Sequence, residues 1–142
     1  MVEIVEAGAA GPLIELLNNF GGDQLIRARA AWAIYNLVYD HSRNAVAFFA
    51  AGAVRPLLEM LSVDSVPLFW SVGEFFEAVT GAVEHLARGA DSIARGLIEA
   101  GAVDALTGLM GEVDDLNSVG HILRTLVALI KVSEREVLAQ LV

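Results

Sequence analysis

Residues 50–57 read Ala50-Ala51-Gly52-Ala53-Val54-Arg55-Pro56-Leu57. The same phrase stands earlier as Glu6-Ala7-Gly8-Ala9-Ala10-Gly11-Pro12-Leu13 and later as Glu99-Ala100-Gly101-Ala102-Val103-Asp104-Ala105-Leu106. The glycines fall at 8, 52 and 101, which sets periods of 44 and 49 residues. Repetition at this length marks a stacked array, whose units cannot bury their apolar faces alone and pack on their neighbours.

Each period reads as three helices. A short first helix ends at the glycine, a residue that takes a left-handed conformation without steric cost. A second helix follows at once, with Pro12 or Pro56 in its first turn, where a missing N–H does no harm. It carries Leu13, Leu16 and Leu17, then Leu57, Leu58 and Leu61, then Leu106, Leu109 and Met110. After a polar break comes a longer third helix, with candidate N-caps Asp23, then Asp64 or Ser65, then Asp114 or Asp115. Its apolar residues recur at 30, 34, 37 and 38, at 79, 83, 86 and 87, and at 122, 126, 129 and 130, one helical face each time. Ser42, Asp91 and Ser133 fall in register as caps of the next short helix, and Ser133 with Glu136 has capping-box spacing. No segment alternates with period two, so no strand is expected.

Composition narrows the class. The chain has 142 residues, of which 56% are hydrophobic and 19% charged, enough for one domain with a sizeable core. A formal net charge of −9 argues against a protein that coats nucleic acid. There is no cysteine, so disulfide scaffolds, thiolate metal sites and cysteine nucleophiles are excluded. Mean hydropathy is high at +0.58, yet the longest uncharged apolar run, about Ala45 to Val54, falls well short of the roughly 20 residues of a membrane span. The acidic opening Met1-Val2-Glu3-Ile4-Val5-Glu6 is no secretory signal. An intracellular location, cytoplasmic or nuclear, is the expectation.

The pattern resembles armadillo repeats: a short helix, a glycine corner in a Gly-Ala-hydrophobic phrase, then two longer helices. The stronger part of the resemblance is Trp32-Ala33-Ile34-Tyr35-Asn36-Leu37. In peptide-binding armadillo proteins such as importin-α, the third helix carries a Trp four residues before an Asn, both facing a concave groove. The resemblance covers essentially the whole chain. It implies an all-α fold, a right-handed α-solenoid of three-helix repeats, as a single domain over 1–142. The units are approximately 1–40, 41–89 and 90–132, with a partial fourth over 133–142. The chain is expected to be a fragment of a longer solenoid or a small protein with unusual ends.

The resemblance also implies that the third helices line the groove. An Asn amide offers both a donor and an acceptor to an extended backbone, and Trp supplies flat walls between which peptide side chains insert. Helical spacing groups Arg29, Trp32, Asn36 and Tyr39 on one face. The matching positions are Ala78, Gly81, His85 and Arg88 in the second unit, and His121, Arg124, Ala128 and Lys131 in the third. The Trp–Asn pair thus occurs once. These twelve positions hold four of the nine basic residues and no acid, so an acidic chain is expected to carry a basic groove. That favours an acidic, extended partner, as in β-catenin-like proteins.

The second unit is five residues longer, and its third helix is expected to start early, near Pro67. Leu68, Phe69 and Trp70, with Phe75 and Phe76, form an aromatic stretch that either contacts a partner or closes the core over the longer loop. Phosphate-binding loops, dinucleotide fingerprints, metalloprotease helices and nucleophile elbows are all missing. The histidines at 41, 85 and 121 share no ligand spacing, and Glu112, Asp114, Asp115 and Asn117 lack the order of a calcium loop. No enzyme, metal or cofactor is expected. The reading is a protein-interaction scaffold for an extended, acidic-leaning peptide, with no nucleic-acid or membrane partner. One alternative is a structural segment that self-associates through apolar solenoid ends; a second is an importin-like binder of basic peptides.

Overall fold

The computed structural model describes residues 8–19, 23–62, 65–67 and 70–141. In chain order these form α1 (Ala10–Leu17), α2 (Gln24–Val38), α3 (Ser42–Ala50), α4 (Val54–Glu59), α5 (Val72–Ala87), α6 (Asp91–Glu99), α7 (Ala102–Met110) and α8 (Leu116–Leu141). No strand occurs among the described residues. The short helix expected before Gly8 lies outside them.

The corners work as the spacing predicts. Gly8, Gly52 and Gly101 sit at φ 94°, 94° and 90°. A Cβ added at any of them would meet nothing within 4 Å, so the requirement is the left-handed backbone and not space. Pro12 and Pro56 occupy the first turns of α1 and α4.

Polar side chains start the third helices. Asp23 accepts the Leu25 N–H at 2.8 Å, and Asp115 accepts the Ser118 N–H at 2.9 Å. The third helix of the second unit starts at Val72, not near Pro67. Ser71 accepts the Glu74 N–H at 2.9 Å and holds an extended backbone (ψ 134°), so the hydroxyl fixes the start five residues later. Ser71-Val72-Gly73-Glu74 has capping-box spacing.

The third helices form the spine: α2 packs on α5, and α5 packs on α8. Phe48, Phe75, Phe76, Leu57, Leu86, Ile93, Leu97 and Leu106 are fully buried in one continuous core. Each such side chain contributes about 1.5–3 kcal/mol on burial. Phe75 and Phe76 therefore close the core; Leu68 and Phe69 lie outside the described residues.

The last unit departs from the register. The corner between α2 and α3 is made by Asp40 at φ 46°, with His41 as the cap of α3, and Ala90 precedes α6. Ser42 and Asp91 are thus first helical residues and not caps. Ser133 caps nothing: α8 runs unbroken from Leu116 to Leu141. Residues 131–136 supply no corner residue. Arg135 holds Asp91 at 2.7 Å and Arg95 holds Glu136 at 3.1 Å, which ties the continuing helix to α6.

Candidate functional site

The α2 face presents the expected side chains around one cleft. Arg29, Trp32, Ala33 and Asn36 from α2 meet Trp70 and, from α5, Glu74 and Glu77, around a volume of about 580 Å³. Trp32 is 37% exposed and stands edge-on to Tyr35, with ring centroids 5.9 Å apart. Trp70 is held edge-on against buried Phe75 at 6.3 Å. The two indoles are therefore braced by rings behind them.

Asn36 is exposed and makes no hydrogen bond among the described residues. Asn44 contrasts with it: its amide is buried and donates to the Leu37 carbonyl at 2.7 Å. Among the described residues the donor and acceptor of Asn36 are unused at the cleft; Asn44 closes the end of α2.

The middle of the face is filled by rings. Tyr35 lies so close to Gly81 that a Cβ there would come within 2.8 Å of the phenol ring. His85 stacks on Tyr35 at 5.9 Å and contacts Tyr39 at 4.5 Å. Both His85 and His121, expected on the groove face, are 6% exposed. They are buried because Tyr35 and the neighbouring third helix cover them. Burial pushes the His85 imidazole below its usual range against the pull of Glu84 and Asp40, and its neutral Nδ1 accepts the Asp40 N–H at 3.3 Å. Tyr39 remains 56% exposed.

Beyond the rings, one carboxylate gathers the basic residues. Glu84 is 1% exposed. His121 Nδ1–H donates to it at 2.6 Å, Arg88 at 2.9 Å and Arg124 Nε at 3.1 Å. Burial alone raises the Glu84 pKa, but these three hydrogen bonds outweigh it and hold the group at about 2. Arg88 and Arg124 remain half exposed, at 50% and 55%. They line a second cleft of about 500 Å³ with Leu123, Val127, Lys131 and Arg135.

The face is thus not free of acids. Glu74 and Glu77 flank Trp32 and Asn36, and Glu84 sits beneath Arg88 and Arg124. The signals were present: Glu74 lies four residues before Ala78 on the same helical face, and Glu84 with Arg88 has i,i+4 spacing. Trp70 as a wall of the Trp32 cleft, and Tyr35 as its brace, had no such signal. Among the described residues no group of three or more His, Asp and Glu is placed to hold a metal, and no helix is long and apolar enough to cross a membrane.

Three-helix units turning on left-handed glycines and stacked through their third helices define an α-solenoid. The family model for the armadillo/beta-catenin-like repeat matches residues 2–39. A designed armadillo repeat protein of known structure is 26% identical, with a TM-score of 0.75 over 89% of this chain and 49% of that one. Another, solved in complex with the peptide (KR)4, is 23% identical, with a TM-score of 0.71 over 92% of this chain and 55% of that one. A further engineered protein shares the fold at 20% identity and a TM-score of 0.68 over 94% of this chain and 54% of its own. The chain spans about half the length of these structures. No curated protein matches it. Residues 2–39 thus match the armadillo/beta-catenin-like repeat, and the chain shares the α-solenoid fold of designed armadillo repeat proteins.

Proposed function

We propose that the protein holds an extended peptide segment in a groove along α2, α5 and α8, without catalysing a reaction. The observation that carries this reading is the amide of Asn36, without a hydrogen-bond partner among the described residues, between Arg29 and the braced indoles of Trp32 and Trp70. An extended backbone needs partners for its N–H and C=O groups, and a single Asn can serve one of each. The indoles would pack the neighbouring side chains. Arg88, Arg124 and Lys131 would attract acidic residues of the same segment, which makes the ligand acidic-leaning towards the α8 end. Tyr39 would pack the chain as it crosses the ring-filled middle.

A second reading has its own support. Glu74 and Glu77 at the Trp32 cleft favour a cationic side chain there, and the designed relative named above is in complex with (KR)4. The two readings divide on intrinsic Trp fluorescence during titration with an Asp/Glu-rich and a Lys/Arg-rich peptide at low and moderate salt. Salt-sensitive binding of the acidic peptide, weakened by Asn36→Ala, is the expected result. Preference for the basic peptide would move the assignment to the second reading. Mass that rises with concentration in light scattering, with no peptide response, would overturn both. Self-association would then run through the apolar cleft of about 710 Å³ lined by Ile98, Val103, Ile130, Val137 and Leu138.

A further inference from the structure

The cleft at the α5–α8 end differs from an ordinary solvated basic patch in one respect. A fully buried carboxylate fixes its two arginines. Glu84 takes one N–H from Arg88 and the Nε–H of Arg124, and both guanidiniums still face solvent over half their surface. Each guanidinium has five donors in a rigid fork, so most remain for a ligand. Because Glu84 orients the forks before any ligand arrives, little side-chain freedom is left to lose on binding.

The charge count sets the ligand. Arg88, Arg124, Lys131 and Arg135 bring four positive charges to this cleft; Glu84, shared by Arg88 and Arg124, and Asp91, paired with Arg135, bring two negative ones. Lys131 is exposed and makes no ion pair among the described residues. The excess is about two positive charges, which matches the charge of about −1.5 to −2 on a phosphorylated side chain better than the single charge of Asp or Glu. The fork geometry also suits phosphate oxygens, which accept paired N–H groups. A membrane headgroup fits less well, because the whole chain carries −9 and an anionic surface would repel it.

We propose that the Arg88–Arg124–Lys131 cleft is a phosphate subsite that recognises a phosphoserine or phosphothreonine within the bound peptide. This rests on the peptide-groove reading above and assigns the partner's chemistry at one end of it.

The test is anisotropy of one labelled, Asp/Glu-containing extended peptide with a central serine, compared with its phosphoserine and Ser→Glu versions, at fixed salt. The phosphopeptide should bind about tenfold or more tightly than the serine peptide, with the glutamate version between them, as charge-assisted bonds to two arginines require. Lys131→Ala, on an exposed position, and Arg124→Lys, which keeps charge but loses the fork, should each lower the phosphoserine-to-serine ratio. An Arg124 that only supports the fold would lower thermal stability and leave that ratio unchanged. Inorganic phosphate should displace the phosphopeptide only at about millimolar concentrations or above, since it lacks the backbone contact. Phosphate as potent as the peptide would overturn the proposal in favour of a free-anion site. Anionic vesicles that compete equally would overturn it in favour of a lipid surface. If serine, glutamate and phosphoserine peptides bind alike, the subsite falls and the groove stands; if none binds, both fall.

Discussion

The two ends of the third-helix face use similar residues in opposite ways. At the α2 end, Asn36 and Arg29 make no polar contact among the described residues, and Trp32 and Trp70 stand braced on either side of an open cleft. At the α5–α8 end, Glu84 holds His121, Arg88 and Arg124 together across two repeats. The difference separates groups built to meet something outside the molecule from groups that first hold the molecule together. A basic residue on a shared face therefore says little about a ligand until its own partner is known.

The comparison breaks most sharply at Glu84. Replacing it with Ala leaves three cationic or imidazole donors without their common acceptor. Removing one partner of a buried pair usually costs about 3–5 kcal/mol; the half-exposed arginines, which water can rescue, place the expected loss at about 3 kcal/mol. The check is a denaturant midpoint with an unchanged slope. The same carboxylate predicts acid sensitivity. Its folded pKa, about 2, lies below the ordinary 4.5, so its contribution is present above pH 4.5 and fades as pH falls towards 2. His85 is also pushed down, so its contribution starts to fade earlier, as pH drops below 6.5. Thermal midpoints should fall in both windows for the native chain. Glu84→Gln should remove most of the lower one.

Asn44 sharpens the comparison from the other side. Asn44→Ala deletes a buried amide and leaves the Leu37 carbonyl without its donor, at an expected cost of about 1–2 kcal/mol. The readout is chemical denaturation, and a loss below about 0.5 kcal/mol would mean that water replaces the amide.

Much of this architecture is legible in the sequence because the repeat imposes it. The corner glycines and the apolar stripes at 30, 34, 37 and 38 and their copies follow from helical period and left-handed backbone, both local properties. The start of α5 is legible too, in the capping-box spacing of Ser71 and Glu74, although the longer aromatic break before it suggests a start near Pro67. The unbroken α8 was not legible. Ser133 and Glu136 have the spacing of a cap, and the ion pairs that tie Arg135 and Glu136 to α6 join residues distant in sequence. The Glu84 cluster was hidden for the same reason, since it joins residues 37 and 40 positions apart. Glu84 lies between the register positions at 81 and 85, so the positions that carry the cations do not include their carboxylate.

Gly81 tests whether the ring-filled middle is rigid. A methyl group there would meet the Tyr35 ring at 2.8 Å, and a phenol packed on His85 and His121 has little room to retreat. Overpacking costs about 1–3 kcal/mol, and the better helix propensity of Ala returns about 1 kcal/mol, so Gly81→Ala should destabilise by about 1 kcal/mol. A stabilised variant would show that Tyr35 moves freely, and the face could then open along its whole length.

The smallest effect on stability is expected at Asn36, and that is its value. The side chain is exposed and bonds nothing among the described residues, so Asn36→Ala should change folding free energy by no more than about 0.5 kcal/mol. Were the residue structural like Asn44, the two alanine variants would lose comparable stability. If instead it meets a peptide backbone, its loss removes about 1 kcal/mol of binding, roughly fivefold in affinity, while the melting curve stays in place. Melting and peptide titration on the same variant separate these cases. Lost stability with unchanged binding would assign Asn36 to the fold and leave Trp32 and Trp70 as the cleft's remaining claim on a ligand.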